Sequence, residues 1–246
     1  TLNKNIFEYI NFAWKFDYKI ISIITNGSTL LDNEIRKNII NSALNEITIS
    51  IHWSNSKIHD FITKVEGSFD KAIKWLILLK KEWFKWKIHI SYVLNKINLN
   101  DLYSAIKLFF KIWIDIHLIN VMRPEWYWKT KMDILSISYD EFKSYIKNLK
   151  KEDIDFVNTL IKVWKLNIMD IPICILNESW LDIKWYWKVE IMNNSHDYLW
   201  EIVNNTLDYK NKLEICNLCY YKNECEWVYD RYMDINKDFS INPIIL

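Results

Sequence analysis

The chain has 246 residues, half of them hydrophobic, with 32 basic and 31 acidic side chains and a net charge of +1. That balance describes a globular chain, long enough for one domain and an appendage. Its charge gives no support to nucleic acid or a membrane surface as the main partner. The longest apolar run, Trp75 to Leu79, is far short of the roughly 18 residues of a membrane span.

In chain order the pattern alternates. A helical pattern runs from Asn3 to Phe16, in a chain that opens at Thr1 without a methionine. Lys19 to Thr25 is a β-branched apolar run, closed by the turn Asn26-Gly27-Ser28. Asp32 to Leu44 has helical spacing, and Glu46 to His52 alternates as a strand does. Ser68 is placed to cap a helix from Phe69 to Glu82, with Ala72, Ile73, Leu76 and Leu79 on one face. Lys87 to Leu94 reads as the next strand, Leu99 to Trp113 as a helix, and Asp115 to Val121 as a strand. Tyr139 to Lys150 and Asp153 to Leu166 follow as helices. Strands and helices alternating over short connections predict parallel βα units. Four strands before residue 122 are too few for a closed eight-stranded barrel. The expected fold is therefore α/β: a partial (β/α) barrel of parallel strands over residues 1–168. From about Met169 the rhythm breaks, and residues 169–246 read as a small, loop-rich cysteine-cluster extension. A helix is expected there around Tyr198 to Leu207.

Fourteen tryptophans stand beside only two glycines. Ordinary usage would give about 7% glycine, or roughly 17 residues, and turns with φ > 0 are built mainly from glycine. The tryptophans sit where turns belong: Trp126 and Trp128, Trp185 and Trp187, Trp53 at a strand end, and Trp227 after the cysteines. Two readings follow. Either UGA codons that specify glycine in the source have been translated as tryptophan, or the protein is truly aromatic-rich.

All four cysteines lie in the last third, as Cys216-x2-Cys219-x5-Cys225 and the distant Cys174. A C-x2-C pair puts two thiolates on one turn, close enough to share a metal ion or a corner of an iron–sulfur cluster. Four thiolates suit tetrahedral zinc or a [4Fe–4S] cluster, and the spacing by itself leans to zinc because structural zinc is common. Disulfides fit less well, since a barrel-like partner domain points to a cytoplasmic enzyme. Elsewhere there is no G-x-S-x-G, P-loop or H-E-x-x-H motif. His52 closes a strand, as residues of a βα active-site rim do. His59 falls in the following loop beside Asp60, while His89 and His117 read as structural.

Several of these stretches together resemble the radical S-adenosylmethionine (SAM) enzymes. Ile21 to Gly27 followed by Ser28 to Leu31 resembles the family's third-strand region, and Ile47 to Trp53 its fourth strand. His59-Asp60-x-Ile62-Thr63 and Gly67-Ser68-Phe69-Asp70-x-Ala72-Ile73-x-Trp75 resemble the next loop and helix. Val93-Leu94-Asn95-Lys96-x-Asn98-x-x-Asp101-Leu102 is similar to the fifth strand and its turn, and Arg123-Pro124-Glu125-Trp126 to the sixth. The C-terminal cysteines with Trp227-Val228-Tyr229 resemble the auxiliary-cluster extensions called SPASM or twitch domains. Trp53, Trp75, Trp126 and Trp227 fall where that family pattern has glycine.

The resemblance implies reductive cleavage of SAM by a [4Fe–4S] cluster and hydrogen abstraction by the 5′-deoxyadenosyl radical. The family's C-x3-C-x2-C loop and Gly-Gly-Glu-Pro strand are not in this chain. The expectation is an N-terminally truncated fragment, catalytically inert as given and with no catalytic residue assigned. The resemblance further implies that Ser50 and Asn98, with Asn26 and Arg123, help bind SAM. A turn role for Asn26 and a helix-capping role for Asn98 remain open beside it. It implies an auxiliary [4Fe–4S] cluster on Cys216, Cys219 and Cys225, with Cys174 as fourth ligand, and turns the choice away from zinc. Expected partners are a peptide or small-molecule substrate and an electron donor such as a flavodoxin or ferredoxin, with no nucleic acid and no membrane. A zinc-stapled α/β binding module without radical chemistry is the alternative.

Overall fold

The computed structural model describes residues 3, 5–27, 31–82, 87–114, 116–122, 130–185, 210–223, 225, 228–237 and 239–245. Two compact units emerge: Thr1–Tyr92 with Asp101–Leu118, and Val93–Asn100 with Ile119–Leu246. The change of rhythm near residue 168 falls inside the second unit.

The first unit opens with helix α1 (Ile6–Lys15), strand β1 (Ser22–Thr25), α2 (Asn33–Ile40) and β2 (Glu46–Ser50). Asp32 starts α2 because its carboxylate accepts from the Glu34 and Ile35 amides at 2.7 and 3.1 Å, satisfying two donors that have no helical partner. Next come α3 (Ser56–Thr63), α4 (Ser68–Lys81), β3 (Lys87–Leu94), and α5 (Leu102–Lys111) behind a short 3₁₀ turn at Leu99–Asp101. On α4, Phe69, Ala72, Trp75, Leu76 and Leu79 form the buried stripe, all on one side of a 3.6-residue period. β1, β2 and β3 are parallel, with Ile47 opposite Ile23 and Ile88. Ile47 and Ile49 are fully enclosed while Glu46, Thr48 and Ser50 on the opposite face are half-buried, the period-2 alternation read from the sequence.

The remaining elements are β4 (Ile116–Val121), α6 (Met132–Leu135), α7 (Tyr139–Lys147), α8 (Lys151–Lys162), β5 (Leu166–Met169) and α9 (Ile173–Glu178). A two-stranded antiparallel ribbon, β6 (Lys210–Asn211) with β7 (Val228–Tyr229), and helix α10 (Asp230–Ile235) follow. α7 begins with a reciprocal capping box. Ser138 Oγ accepts from the Glu141 amide at 3.1 Å, while the Glu141 carboxylate accepts from the Ser138 amide at 2.8 Å. β1 to β5 form one sheet in sequence order. The fold is α/β with five parallel strands, the partial barrel expected from the sequence.

Four local expectations need correction. The stretch around His59 is helix α3, because Asn55 caps it by accepting from the Ile58 amide at 3.1 Å. Ser68 is the first residue of α4 rather than its cap. Gly67 takes that place in the left-handed region at φ 70°, and the Ser68 hydroxyl donates to Asp60 instead. The segment expected to be one helix from Leu99 to Trp113 starts as a 3₁₀ turn and ends at Lys111. The helix expected to reach Leu166 stops at Lys162, and Leu166 opens the fifth strand. The expected helix around Tyr198 to Leu207 lies outside the described residues, as do Trp126, Trp187 and Trp227.

Three helices close in one way. After α5, Trp113 (φ 59°) donates to the Phe110 carbonyl and Ile114 to the Phe109 carbonyl. After α8, Trp164 (φ 59°) and Lys165 donate to Ile161 and Leu160; after α9, Trp180 (φ 63°) and Leu181 donate to Asn177 and Leu176. Each is a Schellman motif, whose left-handed residue is usually glycine because a Cβ is disfavoured there.

Candidate functional site

The first unit gathers polar side chains at the C-terminal ends of its strands. Asn26 follows β1 and is exposed; the next residue, Gly27, is left-handed at φ 74°, and its amide donates to Thr25 Oγ1 at 3.1 Å. The Asn-Gly pair thus forms the expected turn. Ser50 ends β2, half-buried and in register with Ser91. His52 comes two residues later. Its ring meets Tyr92 and Trp53 edge-on at 6.5 Å each, and burial, with a smaller contribution from His59, pushes its pKa down to about 4. The imidazole is therefore neutral near pH 7.

Sequence reasoning missed what holds this corner. The Ser54 amide and hydroxyl donate to the two oxygens of the Asp101 carboxylate at 2.6 and 2.5 Å. This bidentate tie fixes the chain just past His52 to the start of α5. A second brace is Asp60, which accepts from the Gly67 and Phe69 amides and the Ser68 hydroxyl at 2.6 to 2.9 Å. The Phe69 amide is the main cause that holds its carboxyl below the ordinary range. An acidic residue before a Gly-Ser pair was the available signal. His59 is buried on α3, its ring 5.7 Å from Phe69 and its pKa lowered by burial, so it is not a solvated loop residue. His89 is also buried, 3.7 Å from the Glu46 carboxylate.

Asn98 belongs to the second unit. It is fully buried; its Oδ1 accepts from the Asn95 amide at 2.7 Å and its Nδ2 donates to the Val93 carbonyl at 2.9 Å. The side chain braces the turn after β3, directly before the 3₁₀ turn at Leu99. Arg123 lies outside the described residues.

The four cysteines come together. Cys174 on α9 and Cys216, Cys219 and Cys225 from the loop between β6 and β7 line one cavity, all as free thiols. Pro172, Val228, Ile241 and Pro243 supply apolar wall, and Lys222 is the one cationic lining group among the described residues. Burial, then the nearby Cys225, Cys219 and other acidic groups, push the Cys174 thiol up to about 12. A metal or cluster ligand must be a thiolate, and a bound cationic centre supplies the charge that makes it one. The donor set thus fits a thiolate-bound centre. The space is smaller: the cavity is about 20 Å³, a little above the roughly 10–15 Å³ that one water requires. Among the described residues no three ligand side chains meet at a point that a single metal ion could occupy. Zinc, with bonds of about 2.3 Å to sulfur, would need the thiols drawn together. A [4Fe–4S] cluster would need a larger space than this cavity offers.

Beside the cavity lies a buried polar group. Asp170 follows β5 with φ 65° and no exposed side-chain surface, and its Oδ1 accepts from Lys210 Nζ at 3.2 Å and from Tyr229 Oη at 2.8 Å. The Tyr139 amide donates to Tyr232 Oη at 2.6 Å while the two rings stack at 4.0 Å.

No family model matches the chain, and no curated protein does. Solved structures do. SuiB of Streptococcus suis superposes with a TM-score of 0.52 at 15% identity, over 71% of this chain and 38% of SuiB. SuiB bound to its precursor peptide SuiA gives 0.47 at 13% identity, over 67% and 35% of the two chains. Native anSMEcpe with bound AdoMet and the Cp18Cys peptide gives 0.49 at 20% identity, over 67% and 46%. The matched part of this chain spans less than half the length of each. At these identities it is the fold that is shared, and the SuiB match shows it: a partial α/β barrel of parallel strands. Among the described residues no helix is long and apolar enough to cross a membrane.

Proposed function

We propose that this chain is part of a radical SAM enzyme that acts on a peptide. In this reading the cavity of Cys174, Cys216, Cys219 and Cys225 holds an auxiliary [4Fe–4S] cluster. The observation that carries the reading is the convergence of all four cysteines on one apolar-walled cavity in a chain whose fold is shared with SuiB. SuiB is known bound both to S-adenosylmethionine and to a precursor peptide, which supports SAM as cofactor and a peptide as substrate. When bound, the SAM and cluster cofactors supply the radical and electron-transfer chemistry.

The chain's own residues bind, orient and exclude water. Asn26 and Ser50, at the ends of adjacent parallel strands, offer an amide and a hydroxyl to the polar groups of SAM. Neutral His52, held by the Ser54–Asp101 tie, faces that task as a hydrogen-bond acceptor rather than a charge. Asn98 contributes through the turn it braces, and Arg123 through a guanidinium suited to a carboxylate. Cys216 and Cys219, one turn apart, form the corner of the auxiliary site, and Cys225 and Cys174 close it. An external donor of the flavodoxin or ferredoxin type supplies electrons.

Anaerobic reconstitution of the chain with iron and sulfide tests the reading. About four irons per chain, with the brown absorption of iron–thiolate ligation, is the expected result. A colourless protein that takes one tight zinc instead would overturn it and leave the zinc-stapled binding module standing.

A further inference from the structure

We infer that Trp113, Trp164 and Trp180 occupy positions the fold builds for glycine, and that the natural polypeptide carries glycine there. Six described residues other than glycine have a left-handed backbone, and half of them are these three tryptophans. A bulky residue at positive φ is a genuine outlier, yet here the same residue recurs at the same place in three unrelated helices. All three are the left-handed residue of a Schellman motif, with both closing hydrogen bonds made by the backbone alone. The indoles contribute little in exchange beyond Lys147 Nζ, which lies 5.6 Å from the centroid of the Trp180 ring. Trp113 is 79% exposed and Trp180 58%, and the buried indole nitrogen of Trp164 has no partner.

Trp53 and Trp75 show a complementary symptom. Both are fully buried, and both indole N–H groups lack a hydrogen-bond partner. Trp53 follows His52 at the end of β2, where a glycine would open the backbone to a ligand. A genetic code that reads UGA as glycine accounts for both symptoms, and for the scarcity of glycine, with one cause.

Peptide mass spectrometry of the protein from its source organism decides the matter: glycine residue masses at 113, 164 and 180 support the inference, and tryptophan masses overturn it. A second measurement asks only about the fold. In the chain as printed, the triple variant W113G/W164G/W180G should unfold at a higher temperature. The expected rise is roughly 5–10 °C, since each left-handed Cβ is disfavoured and each unit of stability shifts the midpoint by a few degrees. An unchanged or lower midpoint would show that these turns do not call for glycine.

Independently, the geometry points to Asp170 as a positioning residue for the cysteine cavity, an inference that rests on the cluster reading above. Two of its partners sit on paired strands, Lys210 on β6 and Tyr229 on β7, in register with each other. The loop between those strands carries Cys216, Cys219 and Cys225, and Cys174 lies four residues beyond Asp170. One buried carboxylate thus ties together the two segments that supply the thiols, as outer-shell groups orient ligands at metal sites.

Asp170→Asn and the milder Tyr229→Phe are expected to lower iron uptake, or to shift the reduction potential and EPR spectrum of the reconstituted site. Equal iron, potential and spectrum in both variants would overturn the role of Asp170 while leaving the cluster in place. A wild-type chain that takes up no iron would overturn the cluster reading itself.

Discussion

The cysteine cavity and the strand-end corner of the first unit are built from different materials. At the cavity, side-chain type is everything: four thiols, apolar walls and, among the described residues, a single lysine. At the corner the chemistry resides in placement, where a serine, a histidine and an asparagine derive their meaning from parallel strands that end side by side. Thiols can be counted in a sequence, whereas the ends of strands have to be folded before they mean anything.

The largest effect that would sharpen this contrast lies at the cavity. Cys216→Ala or Cys219→Ala should remove nearly all iron bound on anaerobic reconstitution, since losing one corner thiolate leaves an incomplete ligand set. Iron retained at the wild-type level would sink the cavity as a cluster site.

At the corner the corresponding handle is protonation. His52 has a folded pKa of about 4, against an ordinary value of 6.5, with burial as the main cause. Below pH 6.5 the unfolded chain takes up a proton that the folded chain refuses. This stability is therefore fully present above pH 6.5 and is lost as pH falls toward 4. With allowance for partial solvent access, the loss is on the order of 2 kcal/mol. Urea unfolding of His52→Gln should show a shallower pH dependence between 6.5 and 4.5; a slope equal to wild type would mean that the histidine is not held neutral.

Two smaller tests concern the frame of the second unit. Tyr232→Phe leaves the buried Tyr139 amide without an acceptor, at a cost of about 1–3 kcal/mol, readable as a lower denaturant midpoint at unchanged slope. Ser138→Ala removes one half of the α7 capping box and should cost about 1 kcal/mol, or roughly 2–4 °C in Tm. If Tyr232→Phe also releases iron, the frame and the cavity are coupled more tightly than their local bonds indicate.

The residues by themselves determined the alternation of strands and helices through β4, because apolar periods of 2 and 3.6 are local properties of the chain. The third strand matches its expected limits, Lys87 to Leu94. The cysteine spacing was equally legible, since Cys216-x2-Cys219-x5-Cys225 is a local property of the chain. Tertiary structure decided the rest. β5 was hidden because Leu166 to Met169 is too short for its period to show, and the α8 pattern appeared to run on into it. The bonding roles of Asp60, Asp101 and Asp170 were not read from the sequence. Only the fold brings Ser54 to Asp101, the α4 amides to Asp60, and Lys210 with Tyr229 to Asp170. Cys174 joined its three partners for the same reason. Its place at the cavity depends on α9 and on the loop between β6 and β7, segments far apart in sequence whose meeting no local period encodes.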